Sequence, residues 1–397
     1  MKSIPFAGIV DSEDREYEAV RRAMRSGWHG PGAECDAFEK EFASYVGSNY
    51  ALLTNSGSSA NLLALKALNL PAGSKVLTSG CGFPATLNPI LHLGLTPVLV
   101  DYDMETQNIN LDQVEQALRL DRLTTGKYGY IEAILFAHTM GNPVDMNRLV
   151  KIADEYGTIV IEDCCEALGS KLNGQHVGTF GHIGTFSFYP SHQMNGLGSG
   201  GCIVTNDQNI ALEARSLRNW GKLVRAPEFA GDHVTEYVNE IDGVKYDDQY
   251  TYQSVGFNLQ PTDVQAAYLR EQLKRLDEFV ARRKENWEYL ADNAQCLEIQ
   301  TMEVFEGAEP SYFGFSMALM GEMEGRRDEL SRFLEERGIR GRPFFAGNVT
   351  RHKPYRHLFQ EFPVADKLMR DAMFLGVWPG LTLEHMKYVA NTINSFK

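Results

Sequence analysis

From Lys75 to Cys165 the chain repeats one rhythm. KVLTSG, TPVLVDYD, YIEAILFAHT and GTIVIEDCC are short and rich in β-branched residues, and stretches with helical spacing, such as NLDQVEQALRL and DMNRLVKIADEYG, separate them. A strand, a helix and another strand in succession put the strands parallel, because the helix carries the chain back across a face of the sheet. The pattern therefore predicts a doubly wound α/β domain over roughly the first two thirds of the chain. Residues 13–27 and 36–46 add helices ahead of it, and SSANLLALKALNL, after Gly57, adds a third.

The rhythm changes after SVGFNLQPTDVQAA. From Thr262 the spacing predicts one long amphipathic helix, with Pro261 in its first turn. A strand-like YFGFSMALM, a helical DELSRFLEERG and a last helix near LEHMKYVANTINSF then make a small α+β portion. The expected domains are residues 1–263 and 264–397. Of the 397 residues 43% are hydrophobic and 23% charged, enough apolar material for both cores. The net charge of −14, with no Lys/Arg block, gives no footprint for a phosphate backbone, so no nucleic acid partner is expected. No apolar run reaches the ~18 residues of a membrane span, and the N-terminus turns acidic before any signal-like segment, so a cytoplasmic protein is expected. The six cysteines include no C-x-x-C pair, which suggests neither a zinc ribbon nor a disulfide scaffold.

Three stretches carry chemistry. TNSGSSANLLAL sets Gly57, Ser58 and Ser59 at a helix start, where free N–H groups favour a phosphate, although these serines are equally ordinary helix caps. IVIEDCCEALGS ends a strand on Glu162 and Asp163, the end at which open α/β sheets bind ligands. SFYPSHQMNGLGSGG follows strand-like HIGTFSF, and its last six residues, Gly196 to Gly201, formally fit the dinucleotide fingerprint G-x-G-x-x-G. That fingerprint requires a helix after its glycines, whereas CIVTN reads as a strand, so a nicotinamide dehydrogenase is not favoured.

Taken in order, SGSSAN, EDCCEALGS, SFYPSH and GFNLQPTDVQAA resemble the DegT/DnrJ/EryC1/StrS family of pyridoxal-phosphate enzymes acting on nucleotide sugars. The resemblance implies fold type I of the aspartate aminotransferase kind and a cytoplasmic homodimer with shared active sites. It implies that Gly57, Ser58 and Ser187 hold the cofactor phosphate, that Asn258 reaches it from the neighbouring subunit, and that Phe83 stacks on the ring. Asp163 would pair with the ring nitrogen and Glu166 would approach the ring hydroxyl. After SFYPS the family normally has the lysine that tethers the cofactor; this chain has His192. An imidazole cannot make that tether, but it can act as a general base near neutral pH.

The same exchange marks the family's 4-keto-6-deoxyhexose 3-dehydratases. The resemblance thus implies loss of the C3 hydroxyl from a nucleotide-linked 4-keto-6-deoxyhexose, with His192 as base, pyridoxamine or pyridoxal 5′-phosphate as cofactor and L-glutamate as amino donor. Part of that branch carries an iron–sulfur cluster on four cysteines. Here only Cys165 matches such a position, and GKLVRAPEFAGDHVTEYVNE contains no cysteine, so no cluster is expected. Gln193 and the Gly198-Ser199-Gly200-Gly201 ending depart from the dehydratases, and the loop has the length found in lysine-bearing aminotransferases. A sugar aminotransferase making a 4-amino sugar and a non-catalytic family member are the alternatives.

Overall fold

The computed structural model describes residues 3–11, 14–124, 129–224, 238–295 and 297–397. The first part contains α1 (Arg15–Arg25), α2 (Ala33–Val46), β1 (Tyr50–Thr54), α3 (Gly57–Ala67), β2 (Lys75–Ser79), α4 (Pro84–His92) and β3 (Thr96–Val100). There follow α5 (Leu111–Leu123), β4 (Ile131–Ala137), α6 (Met146–Tyr156), β5 (Ile159–Asp163), the short β6 (Lys171–Leu172) and β7 (Gln175–His176), β8 (Ile183–Ser187), β9 (Gly201–Thr205) and α7 (Gln208–Arg218). A hairpin, β10 (Val238–Ile241) and β11 (Val244–Asp247), leads to α8 (Asp263–Leu273) and α9 (Leu276–Asn293). The chain ends with β12 (Ile299–Thr301), β13 (Ala308–Glu309), β14 (Gly314–Leu319), α10 (Arg327–Glu336), β15 (Gly341–Pro343), α11 (Pro363–Asp371), β16 (Ala372–Gly376) and α12 (Leu383–Asn394).

Seven strands form one sheet in the order β1-β9-β8-β5-β4-β2-β3. Strands β3, β2, β4, β5 and β8 are parallel, as the alternation predicts, but β9 runs antiparallel between β8 and β1. The sheet is therefore mixed, because a loop rather than a helix joins β8 to β9. Along β4 the side chains alternate: Ala133 and Leu135 join the cluster under α3, and Ile134 and Phe136 the cluster under α5 and α6. Apolar residues on both faces are what a strand sandwiched between helix layers requires.

The long helix expected from Thr262 is two. Thr262 caps α8 in a capping box with Gln265, so Pro261 precedes the cap instead of sitting in the first turn. The chain breaks at Lys274 and Arg275 and resumes as α9. Helix α8 lies on α1 and α2, whereas α9 lies on α12 and β14, so the break divides two packing partners. Strands β12-β14-β16-β15 form a separate antiparallel sheet. The N-terminus joins it: Ile4 N–H donates to the Gly338 carbonyl at 2.7 Å, and Phe6 meets Phe374 edge to face at 5.1 Å. No described helix is long and apolar enough to cross a membrane.

Candidate active site

A cavity of about 480 Å³ opens at the carboxyl ends of the parallel strands. Its floor comes from the turns after β2, β5 and β8, and its far wall from Phe6, Phe313, Phe345 and Phe374. Gly57, Ser58, Phe83, Asp163, Glu166, Ser187 and His192 all line it, so seven of the eight residues implied by the resemblance come together. The eighth, Asn258, is outside this wall, exposed and in a bridge with Asn219.

The start of α3 forms one end of the cavity. Ser56 caps α3 by accepting from the Ser59 N–H at 3.1 Å, and Gly57 and Ser58 follow on the first turn. Three chain segments meet there: a Cβ on Gly57 would stand 2.7 Å from the Ser187 Cβ and 2.9 Å from the Cys165 Sγ. Glycine is thus required by close approach, and it brings the positive end of α3 beside the Ser187 hydroxyl.

Next to it lies a buried carboxyl group. Asp163 ends β5, 4% exposed, and its Oδ2 accepts from Asn61 Nδ2 at 2.7 Å and Thr86 Oγ1 at 2.8 Å. Thr185 Oγ1 in turn donates to Asn61 Oδ1 at 2.5 Å. Asn61, Thr86 and Thr185 escaped the sequence reading; their signal is polar residues at otherwise apolar positions of α3, α4 and β8. Glu166 accepts from the Met140 N–H at 2.7 Å. Burial pushes its carboxyl up to about 8, against the Met140 N–H and with a smaller contribution from Asp163. At neutral pH it is mainly protonated and can donate a hydrogen bond.

His192 sits in the β8–β9 loop, half-buried, with its ring centroid 5.1 Å from that of Phe313. Its Nδ1 is buried with no hydrogen-bond partner. Burial first, and the charge of Arg283 second, hold its pKa down to about 3, so the imidazole is neutral at pH 7. The loop is braced throughout. Phe188 N–H donates to Gly200 O at 2.9 Å and Gly196 N–H to Phe188 O at 2.8 Å, while Ser199 Oγ donates to Asn55 O. Gln193 is 3% exposed; its Nε2 donates to Glu166 O at 2.5 Å and Ser311 Oγ at 3.0 Å. It ties the loop down behind the cavity and does not line it. Among the described residues no lysine lines the cavity; Lys222 lies near the rings of Trp220 and Tyr250, 5.7 and 5.9 Å from their centroids.

Among the described cysteines, Cys35, Cys81, Cys164 and Cys202 are buried and Cys165 lines the cavity. Burial raises the pKa of each, so in the metal-free protein they are thiols. Cys296 and residues 225–237, most of the stretch read as free of cluster ligands, lie outside the described residues. Behind Asp163, the buried Glu162 accepts from His138 Nε2 at 3.0 Å and from the N–H groups of Gly178, Phe180 and Gly181. These bonds saturate it, and it acts as a brace.

The chain resembles characterised proteins along its whole length. It is 39% identical to the lipopolysaccharide biosynthesis protein RfbH of Salmonella typhimurium, covering 99% of this chain and 91% of that protein. It is 34% identical to the dTDP-4-dehydro-2,6-dideoxy-D-glucose 3-dehydratase of Saccharopolyspora spinosa, covering 99% and 86%. The structure superposes on E. coli GDP-4-keto-6-deoxy-D-mannose-3-dehydratase with bound hydrated PLP at a TM-score of 0.87, with 27% identity over 99% of this chain and 100% of that one. The chain thus has the aminotransferase fold that the resemblance implies. With the family model matching residues 10–394, this chain belongs to the DegT/DnrJ/EryC1/StrS aminotransferase family.

Proposed function

We propose that this protein is a pyridoxamine-phosphate-dependent 3-dehydratase that removes the C3 hydroxyl of a nucleotide-linked 4-keto-6-deoxyhexose. The supporting observation is that a neutral imidazole, His192, lines the cavity with its Nδ1 unpartnered, and that among the described residues no lysine lines it. The residues fit the cofactor: an anion cradle that a Cβ on Gly57 would fill, a carboxylate held by two donors, and an aromatic ring, Phe83, on the wall. When bound, pyridoxamine phosphate supplies an amine that condenses with a ketone and a ring that accepts electrons.

Gly57, Ser58 and Ser187 bind the phosphate through the start of α3 and a hydroxyl. Asp163 would pair with the ring nitrogen and favour its protonated form. Glu166 would donate to the ring hydroxyl, and Phe83 would cover the ring. His192 would take a proton at the C4′ methylene and hand it to the departing C3 oxygen, so one residue would serve as base and then acid. L-Glutamate would restore the amine, and hydrolysis of the deoxygenated product would release ammonia and a 4-keto-3,6-dideoxy sugar. No iron–sulfur cluster takes part, since only Cys165 stands where a ligand would be. Asn258 completes the phosphate site of a second copy in a homodimer, and residues 1–263 and 264–397 form the cofactor-binding and smaller domains.

His192→Ala and His192→Lys test this reading. Both are expected to lower C3 deoxygenation by about 10²- to 10⁴-fold, with His192→Lys gaining the absorbance of a lysine-bound cofactor. Undiminished deoxygenation in either variant would remove His192 from the chemistry. The glycine-rich ending of the loop and its length favour one second reading, a sugar aminotransferase, which retains the C3 hydroxyl.

A further inference from the structure

Helix α9 buries Leu276, Phe279, Trp287 and Leu290, and the same stripe contains an arginine. Arg283 is 2% exposed, and its described partners are all backbone carbonyls. Its Nη1 donates to Tyr312 O and Phe313 O, both at 3.2 Å, and its Nη2 to His192 O at 2.9 Å. Nε has no partner. An apolar side chain would suit this stripe better than a buried cation without a carboxylate, so a guanidinium here needs a reason. Its fork reaches two chain segments that meet at the cavity: the His192 loop, and the turn before β14, where Tyr312 has φ +44° and Phe313 faces the imidazole. The same helix stacks Trp287 on Tyr312 with centroids 4.4 Å apart.

We propose that Arg283 is a positioning residue for the reaction, clamping the His192 loop to the Tyr312–Phe313 turn so that the imidazole is fixed against the Phe313 wall. This rests on the reading of His192 as the base. The clamp also brings a positive charge close to the ring, which adds to burial in keeping the imidazole unprotonated. The other titratable groups around His192 are Tyr189 in its own loop, Tyr312 in the facing turn, and Tyr102, Asp163, Cys165 and Glu166 in the cavity wall.

Arg283→Lys and Arg283→Met, in the full-length protein with cofactor, separate positioning from simple stabilisation. Three quantities are measured: kcat and KM for dehydration, the melting temperature, and the NMR titration of the His192 imidazole, assigned by its loss in His192→Gln. For Arg283→Lys, which keeps charge but loses the fork, kcat is expected to fall about 10- to 100-fold with KM within roughly twofold. For Arg283→Met the His192 midpoint is expected to rise by about one pH unit or more, and added guanidinium to lower it again. A lowered melting temperature with kcat and the His192 midpoint both unchanged would overturn the proposal. If Arg283→Met does not fold, the kcat of Arg283→Lys decides. If the wild type catalyses no dehydration, the reading of His192 fails, and the imidazole titration alone still decides whether Arg283 controls its environment.

Discussion

His192 and Glu166 line one cavity, and burial pushes their titrations in opposite directions. A carboxyl whose pKa rises from 4.5 to about 8 on folding holds a proton that the unfolded chain releases. Its contribution to stability is complete below pH 4.5 and is lost as pH rises through 8. Glu166→Gln, a mimic of the protonated form, is therefore expected to gain stability relative to wild type between pH 5 and pH 8, by at most about 1.4 kcal/mol per pH unit. Urea unfolding of the cofactor-free protein at the two pH values measures it, and parallel curves would contradict it. For His192 the sign reverses. Its folded pKa lies below the ordinary 6.5, so its contribution is complete above that value and is lost as pH falls through about 3. In the free protein its imidazole is expected not to titrate between pH 5 and 8, which histidine NMR checks; a midpoint near 6.5 would mean that water reaches the ring.

Helix α3 and the β8–β9 loop determine what the cavity can hold, and both depend on glycines. Ala at position 57 would press on Ser187 and Cys165, an overpacking worth about 1–3 kcal/mol. If it falls on the bound state, Gly57→Ala weakens pyridoxal phosphate roughly 5- to 150-fold, measured by absorbance titration; unchanged affinity would remove the start of α3 from the phosphate site. How far these elements could be read from sequence follows from the range of their determinants. Strands β2 to β5 and helices α5 and α6 were legible because burial on both faces, or along one stripe, imposes a period on a single segment. Strand β1 was not anticipated: its five residues, YALLT, are stabilised by pairing with β9, about 150 residues away. The joint at Lys274–Arg275 was hidden because its residues suit a helix, and the break reflects a change of packing partner. The seven cavity residues could be located from motif resemblance. Arg283, by contrast, could have been noticed only as a cation on an apolar stripe, and its partners are carbonyls that no pattern displays.

At the scale of the molecule, Asn258 is the predicted site residue that the chain's own cavity leaves out. Phe83, Tyr189, Tyr250 and Tyr252 are exposed as well. If Asn258 serves a neighbour's cofactor, co-refolded Asn258→Ala and His192→Ala chains contain mixed dimers with one complete site. The mixture is expected to recover about a quarter of wild-type activity, although each variant alone has little; no recovery would place Asn258 outside the shared site. If a histidine at position 192 redirects an aminotransferase fold to deoxygenation, the product reveals it. Purified protein with pyridoxal phosphate, L-glutamate and a panel of nucleotide-linked 4-keto-6-deoxyhexoses in deuterated water is analysed by mass spectrometry. The expected product is a 4-keto sugar without the C3 oxygen, with deuterium at C3 and free ammonia released alongside it. A 4-amino sugar that keeps its C3 hydroxyl would mean that His192 has not redirected the chemistry.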